Sequence, residues 1–388
     1  AAMDAEMASW KSTGTYVDEV PPPGANIGVD FFHTFSPTLK MTTLRVLLHV
    51  AAQRDYELHS LDFSTVFLQG SLHEEIWLRR PPGFTGSFPA DDLVFTTADT
   101  EALAHVKAQR TITLTQSHMV QQVLQRFGFT YSSPQSTPLP TSHSLSTPPS
   151  DESVEPSGPY PELVGCLMYL MTCTRPDLAY PLSLLARYVA PGRHQKVHWD
   201  AAKRVLRYLC STSAMGLMLG GRARVVLTGH ADASWVNDLV KQWSSQGYTF
   251  SLGSGSASWR STRSSSVLSS SCEAEIYAGA MAAQELRWLT YLLTDLGEAP
   301  HSPPVLYVDN KAMQALCQEH RLEHRTKHIA LRYFLARELQ QRGQLCLAYV
   351  ASRANTADVF TKALQPCDHQ HFCTVLGLVP TVPHLLTS

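Results

Sequence analysis

Beyond Gly220 the chain changes rhythm, and that change limits what it can become. Val225-Val226-Leu227 leads to Asp232, Tyr248 to Leu252 follows Gly247, and Ser256 to Trp259 follows Gly255, which reads as three strands joined by short turns. A long helix from about Ser271 to Leu296 comes next, then a strand at Val305–Val308, two helices, a strand from Leu345 to Val350 and a short final helix. Three strands followed by alternating helices and strands bury their apolar faces as helices laid on a mixed sheet. The expected fold class is therefore α/β.

Four acids sit at element ends in this block. Asp232 follows the first strand, Glu275 lies in the opening turns of the long helix, Asp309 follows the fourth strand, and Asp358 opens the last helix. Strand ends converge on one edge of such a sheet, so these side chains can meet although they are far apart in sequence. Carboxylates crowded together repel one another and are tolerated where divalent cations such as Mg²⁺ neutralise them. Two ions about 3.5–4 Å apart can activate a water and stabilise the leaving oxygen of a phosphodiester. Taken singly, Asp232 reads equally as a solvated strand end, and Asp309 and Asp358 as helix N-caps. Glu273 competes with Glu275, but Ser270 and Glu273 have capping-box spacing, which gives Glu273 a structural task.

Upstream, Leu44, Leu47, Leu48 and Ala51 have helical spacing, and Val120, Val123, Leu124 and Phe127 mark a second helix with Gly128 at its C-terminal cap. From Tyr131 to Tyr160 the chain turns to Ser, Thr and Pro, the composition of a linker. The stripe Leu163, Leu167, Leu170 and the stripe Leu178, Leu182, Leu185 follow, with Thr174 and Asp177 at capping-box spacing between them; a helix around Trp199 to Leu209 completes a small helical unit.

A chain of 388 residues with net charge -2 must draw any nucleic-acid surface from local basic clusters. One runs through Arg187, Arg193, His194, Lys196, His198, Lys203, Arg204 and Arg207, and another through His320, Arg321, His324, Arg325, Lys327 and His328. The first reads more readily as a solvated helix face. The eight cysteines include no Cys-x-x-Cys pair, and no apolar run approaches the roughly 18 residues of a membrane span. An intracellular setting, cytoplasm or nucleus, is expected, without secretion or a membrane role. Cys367, His369, His371 and Cys373 alternate near the end with ligand types that suit zinc, in a stretch that reads as a peripheral tail.

Five ordered motifs carry a resemblance. Gly229 to Trp235, Leu268 to Glu275, the pair Asp309-Asn310, Arg325 to Ile329, and Ala357 to Lys362 look like those of the ribonuclease H of copia-type LTR retrotransposon Pol polyproteins. The resemblance implies a ribonuclease H-like mixed five-stranded sheet, two Mg²⁺ ions with Mn²⁺ as a substitute, and catalytic, metal-holding roles for Asp232, Glu275, Asp309 and Asp358. Many cellular ribonucleases H place a mobile histidine before the last acid. Here that stretch offers Ser352, Arg353 and Asn355, so Arg353 and Asn355 are accessory candidates together with His328.

Phe32 to Pro37, the helix at Leu44, and Leu61 to Gly70 resemble the part of copia-type reverse transcriptases that bears the first catalytic aspartate, here Asp62. Asp91 and Asp92 look like the rest of the family's Tyr-x-Asp-Asp hairpin, but only residues 63–90 lie between, where the family has a long palm segment. A polymerase must hold both acids at one metal pair while gripping a duplex, so this half is expected to be inactive. The organisation expected is a truncated fingers and palm remnant over 1–130 (α+β), a linker over 131–160, a helical connection over 161–220, a ribonuclease H-like domain over 221–365 and a tail over 366–388. The expected activity is Mg²⁺-dependent cleavage of RNA paired to DNA, with RNA–DNA hybrid and other Pol segments as partners. The alternatives are a catalytically dead or co-opted nucleic-acid-binding scaffold and an active RNA-directed DNA polymerase.

Overall fold

The apolar spacing around Leu44 produces helix α1, Met41–Arg54, closed by Asp55 in the left-handed conformation (φ 58°). Strand β1 (Thr111–Thr115) and helix α2 (Ser117–Arg126) follow, and Gly128 takes the left-handed φ of 75° expected of a helix cap. Helices α3 (Tyr160–Cys173), α4 (Ala179–Leu185) and α5 (Lys196–Ser211) lead to strand β2 (Met215–Gly220). The computed structural model describes residues 40–56, 110–142, 145, 159–190, 192–222, 225–238, 243–264, 268, 270–311 and 335–381.

Both leucine stripes are buried: Leu163, Leu167 and Leu170 of α3 meet Leu178, Leu182 and Leu185 and the α5 residues Val205, Leu206 and Leu209. Full burial of one such side chain contributes about 1.5–3 kcal/mol. Leu139 and Leu145, from the Ser/Pro-rich stretch read as linker, belong to the same core, and Leu145 O meets His198 Nε2 at 3.0 Å. Thr174 and Asp177 do not form the capping box that their spacing suggests. Thr174 ends α3 and donates to Gln116, while the buried Asp177 carboxylate accepts from Arg175 (2.7 and 3.0 Å) and from the Tyr208 hydroxyl (2.7 Å). In the first basic cluster Lys196 and Lys203 pair with Asp200 and His198 is buried, while Arg193 and Arg207 are exposed.

The second half forms strands β3 (Thr228–Asp238), β4 (Trp243–Ser251) and β5 (Ser256–Arg263), helix α6 (Ser271–Asp295), strand β6 (Val305–Val308), helix α7 (Leu335–Gln341) and strand β7 (Cys346–Tyr349). They assemble the expected mixed five-stranded sheet, order β5-β4-β3-β6-β7, with β3, β4 and β5 antiparallel and β3, β6 and β7 parallel. Ala280, Ala283, Leu286, Leu289 and Leu293 of α6 cover Ala231, Tyr248, Phe250, Leu306 and Val308 of the sheet. At Gly229 a Cβ would stand 2.2 Å from the Phe250 ring, so this ring reaches over the central strand only because the facing residue has no side chain.

The first strand begins three residues later than its apolar run suggests, at Thr228, which places Asp232 inside β3 and not after it. Residues 366–380 are not peripheral. Helix α8 (Pro366–Val375) buries Phe372 and Cys373, and β8 (Leu378–Pro380) joins a small antiparallel sheet of order β1-β2-β8. The zinc reading fails on the same helix, because alternating residues point about 200° apart. Cys367 and His371 are exposed, whereas His369 and Cys373 are buried and contact one another at 3.6 Å. No helix among the described residues is long and apolar enough to cross a membrane.

Helix α1 packs into the second half. Val46 and Val50 enter the core beneath α6, and the buried Arg45 donates to the carbonyls of Ala257 (2.7 Å), Thr172 (2.6 Å) and Cys173 (3.1 Å) with Trp259 stacked at 3.8 Å. Burial pushes its guanidinium down to about 9.

Candidate metal centre

Strand register assembles the site. In the parallel pair of β3 and β6, His230 faces Tyr307. Two residues further along each strand direction stand Asp232 and Asp309, on the same side because side chains alternate with period two. Asp358 comes from the turn Thr356–Phe360, which lies against β3 and β4. Asp232 faces Gly247 across the antiparallel pair, and a Cβ on Gly247 would stand 2.4 Å from Cβ of Phe360. A bare backbone at 247 therefore lets the turn that carries Asp358 settle onto the sheet beside Asp232.

Oxygens of Asp232, Asp309 and Asp358 lie within 4.8 Å of one another. Glu275 stands in the second turn of α6, past the Ser270 N-cap that accepts from the Glu273 amide as the sequence predicts. Its carboxyl is buried, and its Oε2 has no hydrogen-bond partner. Burial first, then the charges of Asp232 and Asp309, push Glu275 up to about 9. Burial and the charge of Asp232 raise Asp358 to about 7, and burial also raises Asp232 above the usual carboxylate range. The four sequence-predicted acids thus form one electrostatic group, with three of them in mutual contact range and Glu275 at its edge.

Two neighbours enter the site without having been singled out from the sequence. The buried Thr361 hydroxyl donates to Oδ2 of Asp232, and Lys362 Nζ pairs with Oδ1 of Asp358 at 3.0 Å. Burial alone would lower the Lys362 ammonium, but Asp232 and Asp358 outweigh it and raise it. The i,i+4 spacing of Asp358 and Lys362 is the signal that could have found this pair. Asn355 has a scaffolding part: its Nδ2 donates to Ala231 O at 3.0 Å and its Oδ1 accepts from the Ala357 amide, which ties the last-acid turn to β3. Arg353 is exposed. His328 and the polymerase acids Asp62, Asp91 and Asp92 lie outside the described residues.

An all-oxygen donor set, crowded below the separation that free carboxylates prefer and with one buried oxygen unpartnered, fits a hard divalent cation.

Residues 24–93 match the family model of reverse transcriptases (RNA-dependent DNA polymerases). The chain is 30% identical to the retrovirus-related Pol polyprotein from transposon RE2 of Arabidopsis thaliana, over 92% of this chain and 30% of that protein. It is also 30% identical to the Pol polyprotein from transposon TNT 1-94 of Nicotiana tabacum, over 87% of this chain and 32% of that protein. It therefore spans about a third of the length of these relatives. Among solved structures, LC11-RNase H1 in complex with an RNA/DNA hybrid aligns with 35% of this chain and 93% of its own, at 11% identity and a TM-score of 0.27. Aligned with relatives of this kind over nearly its whole length, the chain is a homologue of copia-type retrotransposon Pol polyproteins.

Proposed function

We propose that the sheet-bearing half is a ribonuclease H that cuts the RNA strand of an RNA–DNA hybrid with Mg²⁺, and that Asp232, Glu275, Asp309 and Asp358 are its catalytic acids. The observation that carries this reading is the approach of three carboxylates, from three separate stretches of chain, to within 4.8 Å at one edge of the sheet. Asp232, Asp309 and Asp358 would hold the ions, with Mn²⁺ as a substitute for Mg²⁺, and Glu275 would complete the set from α6. Bound there, paired divalent ions supply an activated water and charge stabilisation for the leaving oxygen. Thr361 keeps the Asp232 carboxylate in place, and Asn355 keeps the Asp358 turn against β3. Recognition of the hybrid would run through phosphates and minor-groove 2′-hydroxyls.

The polymerase half is proposed to be inactive, since residues 63–90 leave too little chain between Asp62 and Asp91 to build a palm around template and primer. Incubation of the purified chain with a labelled hybrid and Mg²⁺ tests both statements. The expected result is cleavage of the RNA strand only, no primer extension, and a loss of roughly a thousandfold or more in cleavage for Asp309→Asn, as when a group acting on transition-state charge is removed. Retained cutting by Asp309→Asn would reject the site. Absence of cutting even with Mn²⁺, in a folded protein, would leave a nucleic-acid-binding or scaffold remnant.

A further inference from the structure

Lys362 is built into the acid cluster from two directions. Its own amide donates to Asp358 O at 3.2 Å, closing the turn that carries the last acid, and the preceding Thr361 is held by Asp232 and by Asp358 O. The root of the side chain is therefore fixed, while the side chain itself is 42% exposed. Its tip is not idle: Nζ sits 3.0 Å from Oδ1 of Asp358, and its positive charge also acts on Asp232 and Glu275. Lys362 also lines a small pocket together with Asp177, Tyr180 and His369. An ammonium in this place occupies space and charge that a divalent ion on Asp358 would need, and like charges a few ångströms apart repel strongly where water is scarce.

We propose that Lys362 is a resident counter-cation, a positioning residue that holds the carboxylates together in the metal-free protein and sets the affinity for divalent ions because it must leave Asp358 when they enter. This rests on the metal-centre reading above. Two consequences oppose each other in a way that a merely structural lysine does not produce. Removing the charge leaves the empty cluster more repulsive, so the metal-free protein melts lower. It also removes the competitor, so the ions bind tighter.

The test is isothermal titration of Mg²⁺ into the full chain, with thermal melting in EDTA alongside. For Lys362→Met, which keeps the apolar stem, the expected results are a lower melting temperature in EDTA and a Kd for Mg²⁺ about tenfold lower than wild type. Lys362→Arg is expected to keep the wild-type affinity. Unchanged or weaker Mg²⁺ binding by Lys362→Met overturns the role of Lys362 but leaves the metal centre standing. No heat of binding in the wild type overturns the metal centre and this inference with it. Should Lys362→Met not fold, ¹⁵N resonances of the lysine ammonium groups in the wild type decide: saturating Mg²⁺ is expected to move the Lys362 signal, and a signal that stays put overturns the proposal.

Discussion

Without a bound cation, the acid cluster relieves its repulsion by taking up protons and by leaning on Lys362. Glu275 is raised from 4.5 to about 9 and Asp358 from 3.8 to about 7, so the folded protein holds protons that the unfolded chain has released. The native state then binds more protons than the unfolded state, and stability falls as pH rises through that interval. In EDTA the melting temperature is expected to decline from pH 4.5 towards pH 9 and then to level off as far as Glu275 is concerned; Glu275→Gln should flatten the decline, and saturating Mg²⁺ should do the same in the wild type. A wild-type melting temperature that rises over this range relative to Glu275→Gln would contradict the burial of a repelled carboxyl at 275. The acids themselves were legible in the sequence, since Asp309 directly follows the apolar run of β6 and Ser270 with Glu273 marks the start of α6. Thr361 was not, because its partner Asp232 lies 129 positions away and a hydroxyl carries no sign of its acceptor.

At the scale of elements, the long helix and the strand at Val305–Val308 were readable because their burial pattern is strong over many residues or bounded by turns. Strand β3 was misplaced because Thr228 to Asp232 contains no β-branched apolar run; pairing with β4 and β6, not propensity, makes it a strand. The tail misled for another reason, since β8 is held by a sheet partner, β2, more than 150 residues upstream. Gly247 joins element packing to the site. Gly247→Ala places a methyl group against Phe360, and the turn bearing Asp358 has to lift; overpacking of this kind costs about 1–3 kcal/mol. Urea unfolding is expected to report that loss, and the stabilisation by Mg²⁺ should shrink at the same time. A variant that loses stability but keeps the full Mg²⁺ effect would mean that the turn does not position Asp358.

The whole molecule does not divide where its family likenesses divide. Helix α1 lies inside the stretch matched to reverse transcriptases, yet Arg45, Val46 and Val50 are embedded in the body that carries the acid cluster. A chain lacking residues 1–56 would expose the surface these residues cover, and with total stabilities of about 5–15 kcal/mol a domain rarely survives such a loss intact. Such a chain is expected to bind a hydrophobic dye and to unfold without a cooperative transition, although its four acids remain; a sharp melt at the wild-type temperature would refute the dependence. The guanidinium of Arg45, enclosed by three carbonyls and an indole, thus sets a floor under erosion of the upstream sequence. A deletion can remove upstream sequence without touching the acid cluster, but one that reaches Met41 takes out a wall of the body that carries it.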